Sequence, residues 1–252
     1  MIRILGGYVR QEFLKWLAWR SFAFTLVAQA VVTPLIGLAV WSAAAPGKRM
    51  LDYFLVLMIV RLLTSSYEDH TFSERIYIGW FADDLLRPHP PVLAPLGENL
   101  AMRIWHVIIG LPLVALIAVI APPAVRWQDA MLAVPALVLA AALRFLLTYT
   151  LSLSAFWTER AHSAVGLGNT LIFLAGGEAA PIFLMPSGLR PWAQVLPFRS
   201  MLGFPAEVAT GSLSGTDVAF GYLLQLLWLV LLVRASRSVW RAGIRRYTVV
   251  GG

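Results

Sequence analysis

Three charged side chains lie inside long apolar stretches of the sequence, where charge is rarely tolerated. Arg61, Arg144 and Glu178 are each flanked on both sides by mainly apolar residues. If these stretches cross a membrane, a charge near the centre costs about 2.5–3.5 kcal/mol, so such residues face protein or a water-filled path. Two interpretations stay open. Glu178 pairs with one of the arginines in a structural ion pair, or, loosened by Gly176 and Gly177, it lines a polar path and attracts a cation.

Carboxylates form a second group with possible chemistry. They lie in one polar stretch of the chain: Glu68, Asp69, Glu74, Asp83 and Asp84. Carboxylate oxygens can hold Mg²⁺ against a phosphate, which would suit a membrane-embedded enzyme acting on lipid or prenyl substrates. The spacing does not repeat in the D-x-x-x-D manner, so a solvated acidic loop is the favoured interpretation. The enzyme remains the alternative hypothesis, and a structural assembly factor is a third.

Other catalytic motifs are absent from the sequence. It contains no G-x-x-x-x-G-K-[ST] stretch, so no P-loop in this chain can bind nucleotide phosphates. The four histidines are scattered, no H-E-x-x-H occurs and there is no cysteine. The sequence therefore predicts no catalytic residue, metal site or cofactor in this chain.

Composition excludes a soluble domain. Of the 252 residues, 59% are hydrophobic and only 13% are charged, with a mean hydropathy of +0.75. A water-soluble chain of this size cannot bury so many apolar side chains, and a disordered chain would not contain them. The net charge of +7 fits arginines at membrane surfaces better than it fits a nucleic-acid partner.

Apolar segments of about 20 residues predict the elements that must position these groups. We expect an all-α integral membrane protein, a single permease-like domain over residues 1–252, with an N-terminal interfacial helix over 1–20. The six predicted transmembrane helices are 21–41, 51–67, 101–121, 130–157, 164–185 and 218–239. A long polar loop occupies 68–99. Prolines break the segment 186–211, which predicts a re-entrant piece and not a continuous span.

Basic residues predict the orientation of these spans. Arginine and lysine are concentrated at the two termini and in the loop 68–99, which six spans place on one side of the membrane. By the positive-inside rule both termini are cytoplasmic. Arg190 and Arg199, in the broken segment, are then expected to face the outside.

The loop 68–99 contains the most informative motif. Gly79 precedes Pro88 by nine residues, with Phe81 and the run Leu85–Leu86–Arg87 between them. This pattern resembles the coupling loop of type-2 ABC transporter permeases. Residues 196–211 and the tail 246–252 are similar to the corresponding regions of a subgroup of small six-span permeases of bacterial exporters of drugs and hydrophobic cations.

The resemblance implies a permease subunit of an ATP-driven exporter in a bacterial inner membrane, and not an enzyme. Such a permease pairs with a second, identical or related permease and with separate cytoplasmic ATPase subunits that carry ATP and Mg²⁺. Gly79 and Pro88 would shape the coupling loop. Phe81, Leu85, Leu86 and Arg87 would contact the ATPase. Glu178, Arg61 and Arg144 would then lie along the substrate path between the two permeases.

Overall fold

A computed structural model gives the fold over residues 1–45, 50–66, 72–158 and 161–247, and these residues contain helices and no strand. Three predicted features lie at least partly outside these residues: the end of span 51–67, the start of the loop 68–99 with Glu68 and Asp69, and the tail from 248 to 252. The α-helices in chain order are α1 Ile2–Ala18, α2 Arg20–Ala44, α3 Met50–Thr64, α4 Phe72–Tyr77, α5 Phe81–Leu85, α6 Leu93–Ile120, α7 Trp127–Ser152, α8 Ala161–Ala175, α9 Arg190–Val195, α10 Pro197–Met201, α11 Gly203–Ala209 and α12 Gly215–Ile244. The predicted all-helical class is confirmed for this part of the chain.

Four of the helices in the described part are long and apolar enough to cross a membrane. They cover Phe24–Ala44 of α2, all of α6, α7 with the short 3₁₀ turn that follows it, and α12. Helices α3 and α8 have 15 residues each, about 22 Å at 1.5 Å per residue, which is less than the roughly 30 Å of a hydrocarbon core. The protein is therefore multi-pass, and the count of six spans stays a prediction.

Helix α3 forms the centre of the bundle. It packs against α2, α6, α7 and α11, and most of its side chains are buried. Close approach of the neighbours depends on small residues, since a Cβ at Gly37 of α2 or Gly110 of α6 would collide with Phe54 or Leu62 of α3. This is how helices associate in lipid, where packing and not water exclusion brings them together. The short α3 is thus surrounded largely by protein.

Helix α6 begins eight residues earlier than the predicted span 101–121, at Leu93. The predicted loop 68–99 is correspondingly too long. Glu98 and Asn99, which made this stretch look like a loop, are buried in the first turns of α6, where the Asn99 amide donates to Ser66 Oγ over 3.0 Å. A hydropathy average over a sequence window does not distinguish polar side chains that point inward against protein from polar side chains in a solvated loop.

The predicted span 164–185 is wrong at its C-terminal end. Helix α8 ends at Ala175, and only a short 3₁₀ turn, Ile182–Leu184, follows before residue 186. The helix stops because Gly177 has a φ of +96°, which L-residues rarely adopt. A Cβ at Gly176 would in addition strike the backbone of Ile172. Glu178 therefore lies in a turn after α8 and not in the middle of a helix.

The broken segment 186–211 is not one continuous helix, as expected, and contains three short helices, α9, α10 and α11. Prolines begin two of them, because a proline at the first turn lacks only a donor that would be unpaired anyway. Every residue of α11 is buried, chiefly against α7 and α3. Arg199 is also buried and pairs with Glu207, so the expectation that its side chain is exposed on the outer side is wrong as to exposure.

Candidate functional site

A buried ion pair joins the centre of the bundle to the turn after α8. Arg61, in the last turn of α3, forms a salt bridge with Glu178. The Glu178 side chain is 3% exposed and that of Arg61 is 19% exposed. Pairing of the two charges offsets the cost of removing them from bulk water. Of the two arginines that the sequence offered as partners, the structure brings Arg61 to Glu178.

The pair borders a polar cavity of about 300 Å³ between α2, α3, α7 and α8. Arg144 of α7 lines the same cavity and donates to Thr64 Oγ1 over 3.4 Å. The other polar groups in the lining are Gln29, Thr33, Ser65, Ser66, Asn169 and Thr170. The cavity therefore offers donors, acceptors and both signs of charge inside the helical bundle. The three charges singled out in the sequence lie together here.

The turn that carries Glu178 is held in place and is not loosened by its glycines. Tyr53 of α3 donates to the Gly177 carbonyl over 2.8 Å, and Trp41 Nε1 of α2 donates to the Ala179 carbonyl over 2.8 Å. A side chain at Gly177 would meet the Tyr53 hydroxyl. Glycine is required here for its positive φ and for this close contact. The two hydrogen bonds from α3 and α2 fix the turn, and with it the position of the Glu178 carboxylate.

The segment 79–88, which we call the coupling segment, lies at the end of the bundle where α12 finishes. Gly79 has a φ of +85°, and its carbonyl accepts from the Tyr247 hydroxyl over 3.1 Å. Burial raises the pKa of Tyr247, which keeps this donor protonated. A single short helix, α5, follows, and the chain bends around Pro88 before α6.

Phe81 does not face outward. It is fully buried in an aromatic cluster, with edge-on ring contacts to Phe72, Phe156, Trp240 and Tyr247. Edge-to-face pairs at 5.5–5.8 Å are favourable geometries for such rings. Phe81 therefore holds the coupling segment against α12 and the turn after α7. In this structure it offers no surface to a partner.

Leu85 and Leu86 do face outward. Leu86 is 85% exposed and Leu85 is 37% exposed, next to the exposed Arg87. Trp80 on the same segment is 67% exposed. An apolar surface of this kind beside charges is typical of a contact site for another protein.

Asp84 of the coupling segment is 1% exposed and is held by arginines. It forms a salt bridge with Arg75, and its other oxygen lies 3.7 Å from Arg87 Nη1. Asp83 and Glu74 are exposed to solvent. Among the described residues no group of carboxylates or histidines is arranged to hold a metal ion. The magnesium interpretation of this loop thus gains no support.

The N-terminal helix contributes a contact that the sequence did not reveal. Tyr8 of α1 accepts a hydrogen bond of 2.6 Å from Arg87, and its hydroxyl lies 3.2 Å from His89 Nε2. This bond raises the pKa of Arg87. Helix α1 lies along α6, where Gly97 leaves room for Tyr8. A lone tyrosine 79 residues away carries no sequence signal for this contact.

Comparison with known proteins gives one match. A family model described as ABC-2 family transporter protein matches residues 15–251. No curated protein and no solved structure matches the chain. The matched region includes the coupling segment, the polar cavity and the broken segment before α12.

Proposed function

This chain belongs to the ABC-2 family of transporter proteins, and we propose that it is the membrane-spanning permease subunit of an ATP-driven exporter. Membership of that family implies association with an ATPase subunit. ATP and Mg²⁺ would be bound by that subunit, in keeping with the missing P-loop. The observation that carries the proposal is the family match over nearly the whole chain. A bacterial inner membrane is the proposed location.

The proposed topology has six spans, formed by α2, α3, α6, α7, α8 and α12, with both termini in the cytoplasm. Its support is the set of contacts at one end of the bundle, where Tyr8 of α1 meets Arg87 and Tyr247 meets Gly79. The basic residues of the C-terminal end of α12 lie at the same end, as expected of a cytoplasmic surface. In this topology α9, α10 and α11 form the re-entrant segment on the opposite side.

The coupling segment is the proposed docking site for the ATPase. Leu85, Leu86 and Arg87 supply its contact surface, while Phe81 transmits movement by tying the segment to α12 through the aromatic cluster. A helix that inserts an apolar residue, ringed by charges, into a groove is a common recognition mode. Gly79 and Pro88 set the two bends that present the segment.

The polar cavity around Arg61, Arg144 and Glu178 is proposed as part of the substrate path, completed by a second permease, identical or related. Its support is physical: a cavity of about 300 Å³ combines three charged groups with hydroxyl and amide groups, an arrangement suited to contact with a polar or charged substrate. Because Glu178 is paired with Arg61, its carboxylate contributes mainly by holding the Arg61 guanidinium in place at the cavity.

Replacing Leu85 and Leu86 together by aspartate tests the docking assignment. Both side chains are solvent-exposed, so the protein should insert and purify normally. Docking should fail because two apolar contacts become charges without partners. The measurement is recovery of the ATPase with the affinity-tagged permease, and we expect at least a tenfold loss, roughly 1.4 kcal/mol or more.

Leu189→Asp is the matched control, since Leu189 is 62% exposed on the broken segment at the other end of the bundle. It should retain the ATPase at the level of the unaltered protein. Full recovery of the ATPase with the double aspartate variant would remove the docking assignment. Equal loss in the control would show that added charge, and not the coupling segment, is responsible.

A further inference from the structure

A second cavity of about 300 Å³ opens between α7, α12 and the residues just before α6. We call it the α7–α12 groove. Its walls are mainly apolar, with Leu146 and Tyr149 from α7, Val233 and Trp240 from α12, and Pro90 and Pro91 from the connecting segment. It is separate from the polar cavity around Glu178, because the two share no lining residue.

Two arginines of α12 edge this groove. Arg237 and Arg241 are four residues apart, so their side chains project from the same face of the helix. Both are exposed, and among the described residues neither has a carboxylate within ion-pairing distance. Their positive charge is therefore not neutralised by the described part of the chain.

The position of these arginines along α12 places them at the membrane surface. Helix α12 has 30 residues, about 45 Å, and is therefore longer than the roughly 30 Å hydrocarbon core. Its apolar part precedes Arg234, so the last turns emerge among the lipid headgroups. The groove thus runs from headgroup depth, at the arginines, toward the acyl chains, at Val233 and Leu146.

We propose that the α7–α12 groove binds an anionic phospholipid from the adjoining leaflet. Arg237 and Arg241 hold its phosphate, since paired guanidinium groups match phosphate oxygens in charge and in geometry. An acyl chain lies against the apolar wall. The bilayer supplies this ligand at the mouth of the groove, and the unneutralised charge of the two arginines selects a negative headgroup over a zwitterionic one.

The occupant would touch the aromatic cluster from its outer side. Trp240 and Tyr149 line the groove and also belong to the cluster that packs around Phe81. A bound lipid therefore packs directly beside the residues that hold the coupling segment. The binding proposal does not depend on what the coupling segment docks.

Native mass spectrometry of the full-length chain, titrated with phosphatidylglycerol or with phosphatidylcholine of the same acyl chains, tests this proposal. The unaltered protein should retain phosphatidylglycerol in preference to phosphatidylcholine. Arg237→Gln with Arg241→Gln should weaken phosphatidylglycerol binding by roughly ten- to thirty-fold, the effect expected of two surface arginines. The variant should still bind phosphatidylcholine as before.

Arg234→Gln with Arg245→Gln is the matched control, because it removes the same charge from the same helix end without altering the groove lining. It should keep the preference for phosphatidylglycerol. An equal loss in this control would overturn the proposal in favour of general surface charge. Equal retention of the two lipids by the unaltered protein would also overturn it, since the arginines would then select nothing.

Discussion

Two buried ion pairs occur in different surroundings within this bundle. Arg199 and Glu207 join α10 to α11, with side chains 7% and 4% exposed and an Nε–Oε2 distance of 2.9 Å. The Arg199 guanidinium also lies over the ring of Phe204, 5.5 Å from its centre. Arg61 and Glu178 are paired just as directly, but they border a polar cavity.

The difference between the two pairs is what else can solvate the charges. Around Arg199 the helices are packed closely, and every residue of the neighbouring α11 is buried. Around Arg61 the cavity contains hydroxyl and amide groups and has room for water. Removing one partner should therefore be much more costly in the first pair than in the second.

A charge inside the membrane therefore does not by itself identify a transport site. The closely packed pair of Arg199 and Glu207, which we call the closed pair, holds the short helices before α12 together and so has a structural role. The pair of Arg61 and Glu178, which we call the open pair, borders a cavity. Only this combination of charge and space is suited to contact with a substrate. The cavity, and not the ion pair, is the reason for assigning Arg61, Arg144 and Glu178 to the proposed path.

The largest expected effect is at the closed pair. Glu207→Gln leaves the Arg199 charge buried without a counter-charge, which should lower stability by about 3–5 kcal/mol. We expect poor expression and a large fall in the melting temperature of the purified protein. The measurement is thermal unfolding in detergent.

A double variant separates loss of charge balance from loss of packing. Replacing Arg199 by Met and Glu207 by Leu removes both charges while keeping apolar volume, and it should recover most of the stability lost in Glu207→Gln. A Glu207→Gln protein with an unchanged melting temperature would contradict the assignment of this pair as structural. Failure of the double variant to recover would instead implicate packing of Arg199 over Phe204.

The sequence suggested a pairing of Glu178 with Arg61 or Arg144 as one of two interpretations, and it missed the other pair for a physical reason. Glu178, Arg61 and Arg144 stand out because each interrupts an apolar stretch, and the cost of isolated charge favours a pairing of Glu178 with one of the two arginines. Arg199 and Glu207 lie in a stretch broken by prolines, where polar residues look like an outer loop. Only the packing of α11 against α7 and α3 shows that this stretch is buried.

Helix ends were predictable to a similar, limited extent. Apolar windows located the long helices. They missed the first turns of α6 because Glu98 is polar, although its side chain points inward against protein. They extended α8 too far because they do not register that Gly177 adopts a positive φ and ends the helix. The coupling motif was visible as a pattern. That Phe81 is inside the aromatic cluster and Leu86 outside depends on contacts with Trp240 and Tyr247, far along the chain.

A smaller effect is expected at the open pair. Glu178→Gln should cost only about 1–2 kcal/mol, because the glutamine amide and the cavity groups can still hydrogen-bond Arg61. Transport by the assembled complex should fall, since the charge pattern along the proposed path changes. Arg61→Gln added to Glu178→Gln should return stability toward that of the unaltered protein. A loss as large as that of Glu207→Gln would erase the distinction between the two pairs.

The smallest expected effect is a difference in the rate at which introduced cysteines are modified. The sequence contains no cysteine, so no other thiol contributes to the measured rate. Thr33→Cys introduces a thiol in the cavity lining, while Ser200→Cys introduces one beside the closed pair, where Ser200 is 3% exposed. A small charged methanethiosulfonate travels in water and should modify the first at least about tenfold faster, because thiol reactivity follows access. Val32→Cys, in the same candidate span, should react slowly despite its 50% exposure, since an exposed apolar side chain in a transmembrane helix is expected to face the acyl chains. Equal rates at Thr33→Cys and Ser200→Cys would mean that the cavity is closed to water, and the substrate path would then have to lie elsewhere.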